Sequence, residues 1–199
     1  NKVAGGGVFV HFDQISEKKA QVFVDTEVKN SGTARRVVTV ETTLTDASGK
    51  KVKQTSSRVM LNAGESVTVK QKMQVSNPHL WSPDSPYLYR VESRVTEGKL
   101  ALDGGVTRVG IRKAEFKDKD GFWLNGKPFG QLVGANRHQD FAYVGNALPN
   151  SQQWRDAKRL RDAGCRIVRV AHYPQDPSFM DACDELGMFV IVATPGWQY

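Results

Sequence analysis

The tightest constraint on this chain is a repeat in its last third. An apolar run short enough for a buried strand, Leu132–Ala135, leads into a polar string, Gly134-Ala-Asn-Arg-His-Gln-Asp-Phe141. A helical pattern follows. The same events then recur as Ile167–Ala171, the string Arg169-Val-Ala-His-Tyr-Pro174, and a second helical pattern. Strand, polar tip, helix, strand, polar tip, helix is how a parallel βα fold reads. Asn136, Arg137, His138, Arg169 and His172 are side chains that an apolar core rejects unless they are paired. In parallel α/β folds the loops converge at the carboxyl ends of the strands, and ligands are met there. The two tips are therefore predicted to share one mouth.

The helices between them carry local signals. Asn150 is placed to cap the first, with Gln153 reaching back three residues later. Trp154, Ala157, Leu160 and Ala163 recur near helical spacing, and Gly164 can end the helix. Asp176 caps the second and Pro177 suits its first turn. Phe179, Cys183 and Leu186 form its buried stripe, and Gly187 ends it. Met188–Ala193 is a third apolar strand, with Thr194-Pro-Gly-Trp-Gln198 at its carboxyl end. Three strands and two helices do not close an eight-stranded barrel. The polypeptide is thus expected to be part of a larger protein, with open strand edges and a tendency to associate.

Residues 1 to about 112 obey a different rule. Val8–Phe12, Gln21–Lys29, Arg35–Thr45, Lys51–Leu61, Ser66–Val75, Tyr87–Thr96 and Val106–Arg112 alternate with period two. Turns such as Asp46-Ala-Ser-Gly-Lys50 and Asn62-Ala-Gly-Glu65 separate them. Many short alternating strands argue for an antiparallel sandwich. Asn77–Tyr89 interrupts the rhythm with three prolines, which excludes a central strand; Trp81 within it is expected to plug one end of the sandwich. Further on, Asp120-Gly121 and Asn125-Gly126 are hairpin turn pairs, and such a hairpin can close the bottom of a barrel.

Composition removes several function classes. Of the 199 residues, 39% are hydrophobic and 25% charged, a globular balance. No stretch approaches the roughly 18 apolar residues of a membrane span. Asn1–Gly7 has no apolar signal core and no initiator Met, and reads as the start of an excised or processed segment. The net charge is +7. Sixteen Lys and Arg against eleven Asp and Glu put +5 of it in residues 1–110. The pairs Lys18-Lys19, Arg35-Arg36 and Lys50-Lys51 are scattered over turns and strand faces, whereas nucleic-acid binding calls for a concentrated patch with stacking aromatics. Cys165 and Cys183 have no CxxC or Cys/His ligand spacing and read as buried small hydrophobes. No metal and no cofactor are expected.

Several strings, in order, resemble glycoside hydrolase family 2, which includes β-galactosidases, β-glucuronidases and β-mannosidases. Leu80-Trp-Ser-Pro-Asp-Ser-Pro-Tyr-Leu-Tyr89 is similar to a hallmark of that family's immunoglobulin-like domain. Phe122-Trp-Leu-Asn-Gly-Lys-Pro128 resembles the entry into its catalytic barrel. Asn136-Arg-His138, Arg169-Val-Ala-His-Tyr-Pro174 and Asp181-Ala-Cys-Asp-Glu-Leu-Gly187 resemble its barrel motifs. The resemblance implies an immunoglobulin-like β-sandwich over residues 1–112, followed over 113–199 by the start of a (β/α)8 TIM barrel, incomplete after about its third strand. It implies hydrolysis of a β-linked sugar with retention, by an acid/base and a nucleophile glutamate roughly 5–5.5 Å apart. In the family both glutamates lie on later strands, so no catalytic residue is expected here and the chain alone is expected to be inactive. Asp140, Asp176, Asp181, Asp184 and Glu185 offer no replacement pair.

What remains is the wall of the sugar site. His138 and His172 match family positions that hydrogen-bond sugar hydroxyls, and an imidazole can both donate and accept. Asn136, Arg137 and Arg169 are expected to contact substrate or to support that wall. Trp197 is expected as a sugar platform or as loop packing. The alternative is a non-catalytic carbohydrate-binding or adhesion module built on the sandwich. It would show exposed aromatics on a strand face, whereas Phe9, Phe12 and Phe23 look inward by pattern. Expected partners are a β-glycoside and the rest of a parent chain, with a homo-oligomer left open and with no nucleic acid and no membrane. An exported location, periplasmic or extracellular, is favoured over the cytoplasm.

Overall fold

The structure is a computed structural model and describes residues 7–193. The readings of the amino-terminal start at Asn1 and of the strand tip with Trp197 lie outside those residues. The chain divides into two compact units. One runs up to His79 and resumes over Leu88–Lys113; the other joins Leu80–Tyr87 to the chain from Ala114 onward.

The first unit holds β1 (Val8–Asp13), β2 (Lys19–Lys29), β3 (Arg36–Thr45), β4 (Lys51–Leu61), β5 (Ser66–Ser76), β6 (Tyr89–Glu97) and β7 (Leu100–Val109). They form two antiparallel sheets, β1-β2-β5 and β4-β3-β6-β7, the sandwich that the alternation predicts. In β2, Ala20, Val22, Val24, Thr26 and Val28 are buried while the residues between them are not. Val28, Val38, Val40, Leu61 and Val69 form one core cluster. Gln71 intrudes on an inward position of β5 and is satisfied there. The Thr42 hydroxyl donates to its Oε1 at 2.6 Å, and its Nε2 donates to Val40 O at 3.0 Å and to Ser57 Oγ at 3.1 Å.

Two expectations for this unit are corrected. The last strand begins at Leu100, not Val106, because β6 pairs straight through the glycines that blur the sequence pattern, Arg94 with Gly104 and Ser93 with Gly105. Phe9 and Phe23 face outward. The inward side of β2 is taken by Val22 and Val24, so Phe23 lies on the other face, stacked on His11 (4.9 Å), which stacks on an exposed Phe9 (5.3 Å).

The second unit opens with a small antiparallel sheet, β8 (Ala114–Phe116), β9 (Phe122–Leu124) and β10 (Lys127–Pro128). Asn125 and Gly126, at φ 52° and 80°, make the tight turn that the Asn-Gly pair predicts. Then come β11 (Gly134–Arg137), α1 (Asn150–Asp162), β12 (Ile167–Val170), α2 (Pro177–Leu186) and β13 (Phe189–Val192). β11-β12-β13 is a parallel sheet. Val168 and Val170 pack with Ala157 of α1 and with Phe179, Ala182 and Cys183 of α2. Phe122 and Phe129 set their rings edge-on to Phe189, at the amino end of β13.

Trp81 belongs to this unit, which corrects its expected place in the sandwich. It is fully buried, its Nε1 donates to Asp184 O at 2.9 Å, and its ring meets Phe189 edge-on at 5.2 Å. The proline-rich segment around it is anchored here as well. Asn125 Nδ2 donates to Trp81 O, Arg161 to Pro83 O, and Arg166 to Asp84.

Local boundaries also shift. β11 starts at Gly134 rather than Leu132, because there the backbone can close on β12: a Cβ at Gly134 would overlap the Ile167 carbonyl. The N-cap of α1 is Pro149, not Asn150, and Gln153 turns its side chain into the core instead of back to the cap. Trp154 leaves the expected apolar stripe for the surface, where its Nε1 donates to Glu185. Asp176 does cap α2, accepting from Ser178 N at 2.8 Å, and Gly187 ends it in the left-handed region. Cys183 is buried as expected, whereas Cys165 is only half-buried; both are free thiols.

Candidate functional site

Parallel pairing of β11 with β12 sets Arg137 opposite Val170, so the chain leaves both strands at the same level. Ala171 N donates to Arg137 O at 2.9 Å and carries the ladder one step further. The next residues are His138 and His172. Their rings meet edge to face, with centroids 5.3 Å apart and planes at 74°. Tyr173 stands beside them, its hydroxyl accepting from Gln139 N at 2.9 Å. The two polar tips therefore share one mouth.

Alternation along the strands decides what else faces it. Val168 and Val170 point into the helix layer. Arg169 and its register partner Asn136 lie on the opposite face of the sheet. Arg169 donates from Nη2 to His172 Nδ1 at 3.2 Å. A guanidinium has donors only, so Nδ1 must accept, and the ring proton of neutral His172 sits on Nε2. The Nε2–H of His172 is then a donor.

Arg137 is not on this rim. It is 6% exposed and points into the helix layer, its guanidinium 4.1 Å above the Phe179 ring. Nη1 donates to Gln175 Oε1 at 2.5 Å, and Nη2 to Gln153 Oε1 and Asp156 Oδ2, both at 2.8 Å. Gln175 Nε2 returns a 2.6 Å hydrogen bond to the Arg137 carbonyl. Of the two roles expected of Arg137, contact with substrate or support of the wall, these bonds are those of a support. Gln139 fastens the following loop, accepting from Asp176 N at 2.8 Å and donating to Asn146 O at 3.2 Å.

The carboxylates near the tips are committed elsewhere or exposed. Asp156 holds Arg137, Asp176 caps α2, Glu185 accepts from Trp154, and Asp140 is exposed beyond His138. Among the described residues no group of three or more His, Cys, Asp or Glu is arranged to hold a metal ion, and no helix is long and apolar enough to cross a membrane.

Comparison with known proteins gives the family of the chain. Residues 6–112 match the model of glycosyl hydrolases family 2, and residues 115–198 match the TIM barrel domain of the same family.

The chain belongs to glycosyl hydrolases family 2.

A β-galactosidase of Bacteroides ovatus is 33% identical over 189 residues, which cover 95% of this chain and 22% of that protein. A β-galactosidase of Thermoanaerobacter pseudethanolicus is 45% identical over 130 residues, covering 65% of this chain and 17% of its own. Among solved structures, a Bacteroides uniformis β-glucuronidase superimposes with a TM-score of 0.89 at 33% identity, over 96% of this chain and 23% of that one. A putative β-galactosidase from Bacteroides fragilis gives 0.89 at 33% identity, over 95% and 28%. The chain therefore spans about a fifth of the length of the curated relatives it matches.

Within this family 2 chain, Asn136, His138, Arg169 and His172 gather on one side of the strand ends, Arg137 lies behind them, and Trp197 is outside the described residues. As supports, Gln139, Gln153, Gln175, Asp156 and Tyr173 go unrecognised in the sequence: Gln139 and Tyr173 stand there only inside the motif strings and Gln153 only as a cap partner. One of them left a trace: Gln153 shares a helical face with Ala157, and a polar residue on an apolar face signals a buried hydrogen-bond network.

Proposed function

We propose that these residues form the sandwich domain, 1–112, and the first strands of the catalytic barrel, 113–199, of a retaining glycoside hydrolase acting on β-galactosides. The approach of His138 to His172, at the ends of adjacent parallel strands, carries the reading. Two imidazoles, the Asn136 amide and the Arg169 guanidinium give the donors and acceptors that a ring of sugar hydroxyls calls for. The retaining reaction needs two glutamates. Among the described residues no glutamate stands at the end of β11, β12 or β13, which supports a reading in which the acid/base and the nucleophile come from other sequence of the parent enzyme. The partners are accordingly a β-glycoside and the remainder of the barrel.

The test is hydrolysis of aryl β-galactosides and aryl β-glucuronides by an enzyme of family length carrying these residues, and by the 199-residue chain alone. Turnover of the galactoside by the long enzyme and of neither substrate by the chain is expected. Preference for the glucuronide would reassign the sugar; turnover by the chain alone would refute the assignment of the glutamates.

One observation favours a second reading. The Phe9–His11–Phe23 row, with Lys72 Nζ 5.3 Å from the Phe23 ring, is an outward aromatic strip of the kind that a sugar-binding sandwich displays. Retention of the chain on an insoluble β-glycan, lost on Phe9→Ala, would support that role.

A further inference from the structure

We propose that Arg137 and Gln175 are positioning residues that set the spacing of His138 and His172. The proposal rests on the sugar-site reading above. Arg137 immediately precedes His138, and Ala171 immediately precedes His172; the hydrogen bond from Ala171 N to Arg137 O joins the two positions directly. Gln175 clamps the same joint. Its Nε2 donates to the Arg137 carbonyl at 2.6 Å while its Oε1 accepts from the Arg137 guanidinium at 2.5 Å. A side-chain amide does both, from two separate atoms of one rigid group. A glutamate in this place would set an anion against a carbonyl, and a methionine would offer neither group.

The guanidinium is itself held from three sides, by Gln153 and Asp156 of α1 and by the Phe179 ring of α2. Holding sheet to helices does not require this. Well-packed apolar side chains often do as well as a buried charge, or better. The cluster even carries a polar cost, since Arg137 Nε and Gln153 Nε2 are buried with no hydrogen-bond partner among the described residues. What an apolar replacement would lose is the fixed direction of the Arg137 carbonyl, and with it the placement of both rings.

The experiment uses the four histidines of the chain, His11, His79, His138 and His172, labelled with carbon-13 at Cε1. His11 and His79 lie in the other unit and serve as internal controls. In Gln175→Met, and independently in Gln175→Glu and Arg137→Lys, the His138 and His172 resonances are expected to move to new dispersed positions while the controls stay. Four unmoved resonances would overturn the proposal. So would collapse of the His138 and His172 signals to the position of free histidine in every variant, which would mean that the cluster only holds the fold.

A second arm uses the family-length enzyme. Gln175→Met is expected to lower kcat/KM about tenfold in the wild-type background and less than twofold in a His138→Ala background. Equal losses in both backgrounds would overturn the proposal. Failure of the wild-type enzyme to cleave any β-glycoside would instead sink the functional reading, and the resonance arm would still decide the positioning role.

Discussion

Arg169 and His172 are joined by a 3.2 Å hydrogen bond in which the guanidinium donates to Nδ1. The side chains are three residues apart, one in the strand and one just past its end. That bond selects the imidazole tautomer with its proton on Nε2. Nitrogen-15 spectra of the chain at a pH where His172 is neutral should show the Nε2–H form, and Arg169→Leu should bring in the other tautomer. An Nδ1–H signature in the wild type would contradict the donor assignment.

Substitution of His172 separates function from folding. The ring is half-buried at the strand end and outside the apolar core cluster. His172→Ala in the family-length enzyme should reduce kcat/KM by about 10–100-fold, the loss of one or two hydrogen bonds to substrate. Stability should change by no more than about 0.5 kcal/mol, as at other sites away from the core. Equal proportional losses in activity and in urea resistance would give His172 a structural role instead.

Trp81 makes a prediction about location. Its indole is fully buried and bonded to the Asp184 carbonyl. Trp81→Ala should cost about 3–5 kcal/mol, the usual range for an emptied aromatic site. Trp81→Phe should cost about 1 kcal/mol for the lost hydrogen bond, plus whatever misfit the smaller ring leaves. In both variants hydrogen exchange should quicken in α2 and β13 and stay slow in β2, β3 and β6. Loss of protection in those three strands would return Trp81 to the sandwich.

What was legible in the sequence was what is local. Val22, Val24, Thr26 and Val28 declare their shared face by period two. Asp176 and Gly187 declare the ends of a helix through groups within a few residues of themselves. Trp81 was misplaced because its partners, Asp184 and Phe189, lie about a hundred residues on, and nothing near Trp81 names them. The start of β11 was misread because Gly134 is fixed by the approach of Ile167, a tertiary event. The rim histidines stood out as motifs. Of their glutamine supports only Gln153 has a periodic signature, its helical face shared with Ala157, and Arg137 is assigned to rim or support only once strand alternation is anchored in register.

The two cysteines should differ in reactivity. Burial among apolar side chains raises the Cys183 thiol to about 12, with the nearby Asp184 adding to the shift and Arg137 opposing it. At pH 8 only about one molecule in ten thousand would carry the reactive thiolate. A thiol reagent should therefore label Cys165, which is half-buried, well before Cys183. The second equivalent should appear only on unfolding. Mass-spectrometric mapping that found Cys183 modified first under native conditions would show that α2 opens readily.

Acid should weaken the second unit partly through Asp84. Arg166 Nη1 lies 2.5 Å from its Oδ1 and Arg161 Nη2 lies 3.7 Å from the same oxygen. The hydrogen bond from Arg166, helped by the charges of both arginines, holds this carboxyl below its ordinary value. A carboxyl depressed in the folded state takes up its proton first in the unfolded chain. Its contribution is therefore complete above the ordinary aspartate range, near about pH 4, and disappears as pH falls through the lower folded value. Asp84 is largely exposed, so the increment is small and screened by salt. In urea unfolding at low ionic strength, Asp84→Asn should be slightly less stable than wild type at pH 7. The two should converge toward pH 3, and added salt should narrow the gap at neutral pH. A difference that widened on acidification would mean that Asp84 is stabilised as the neutral acid, contrary to its place between two guanidinium groups.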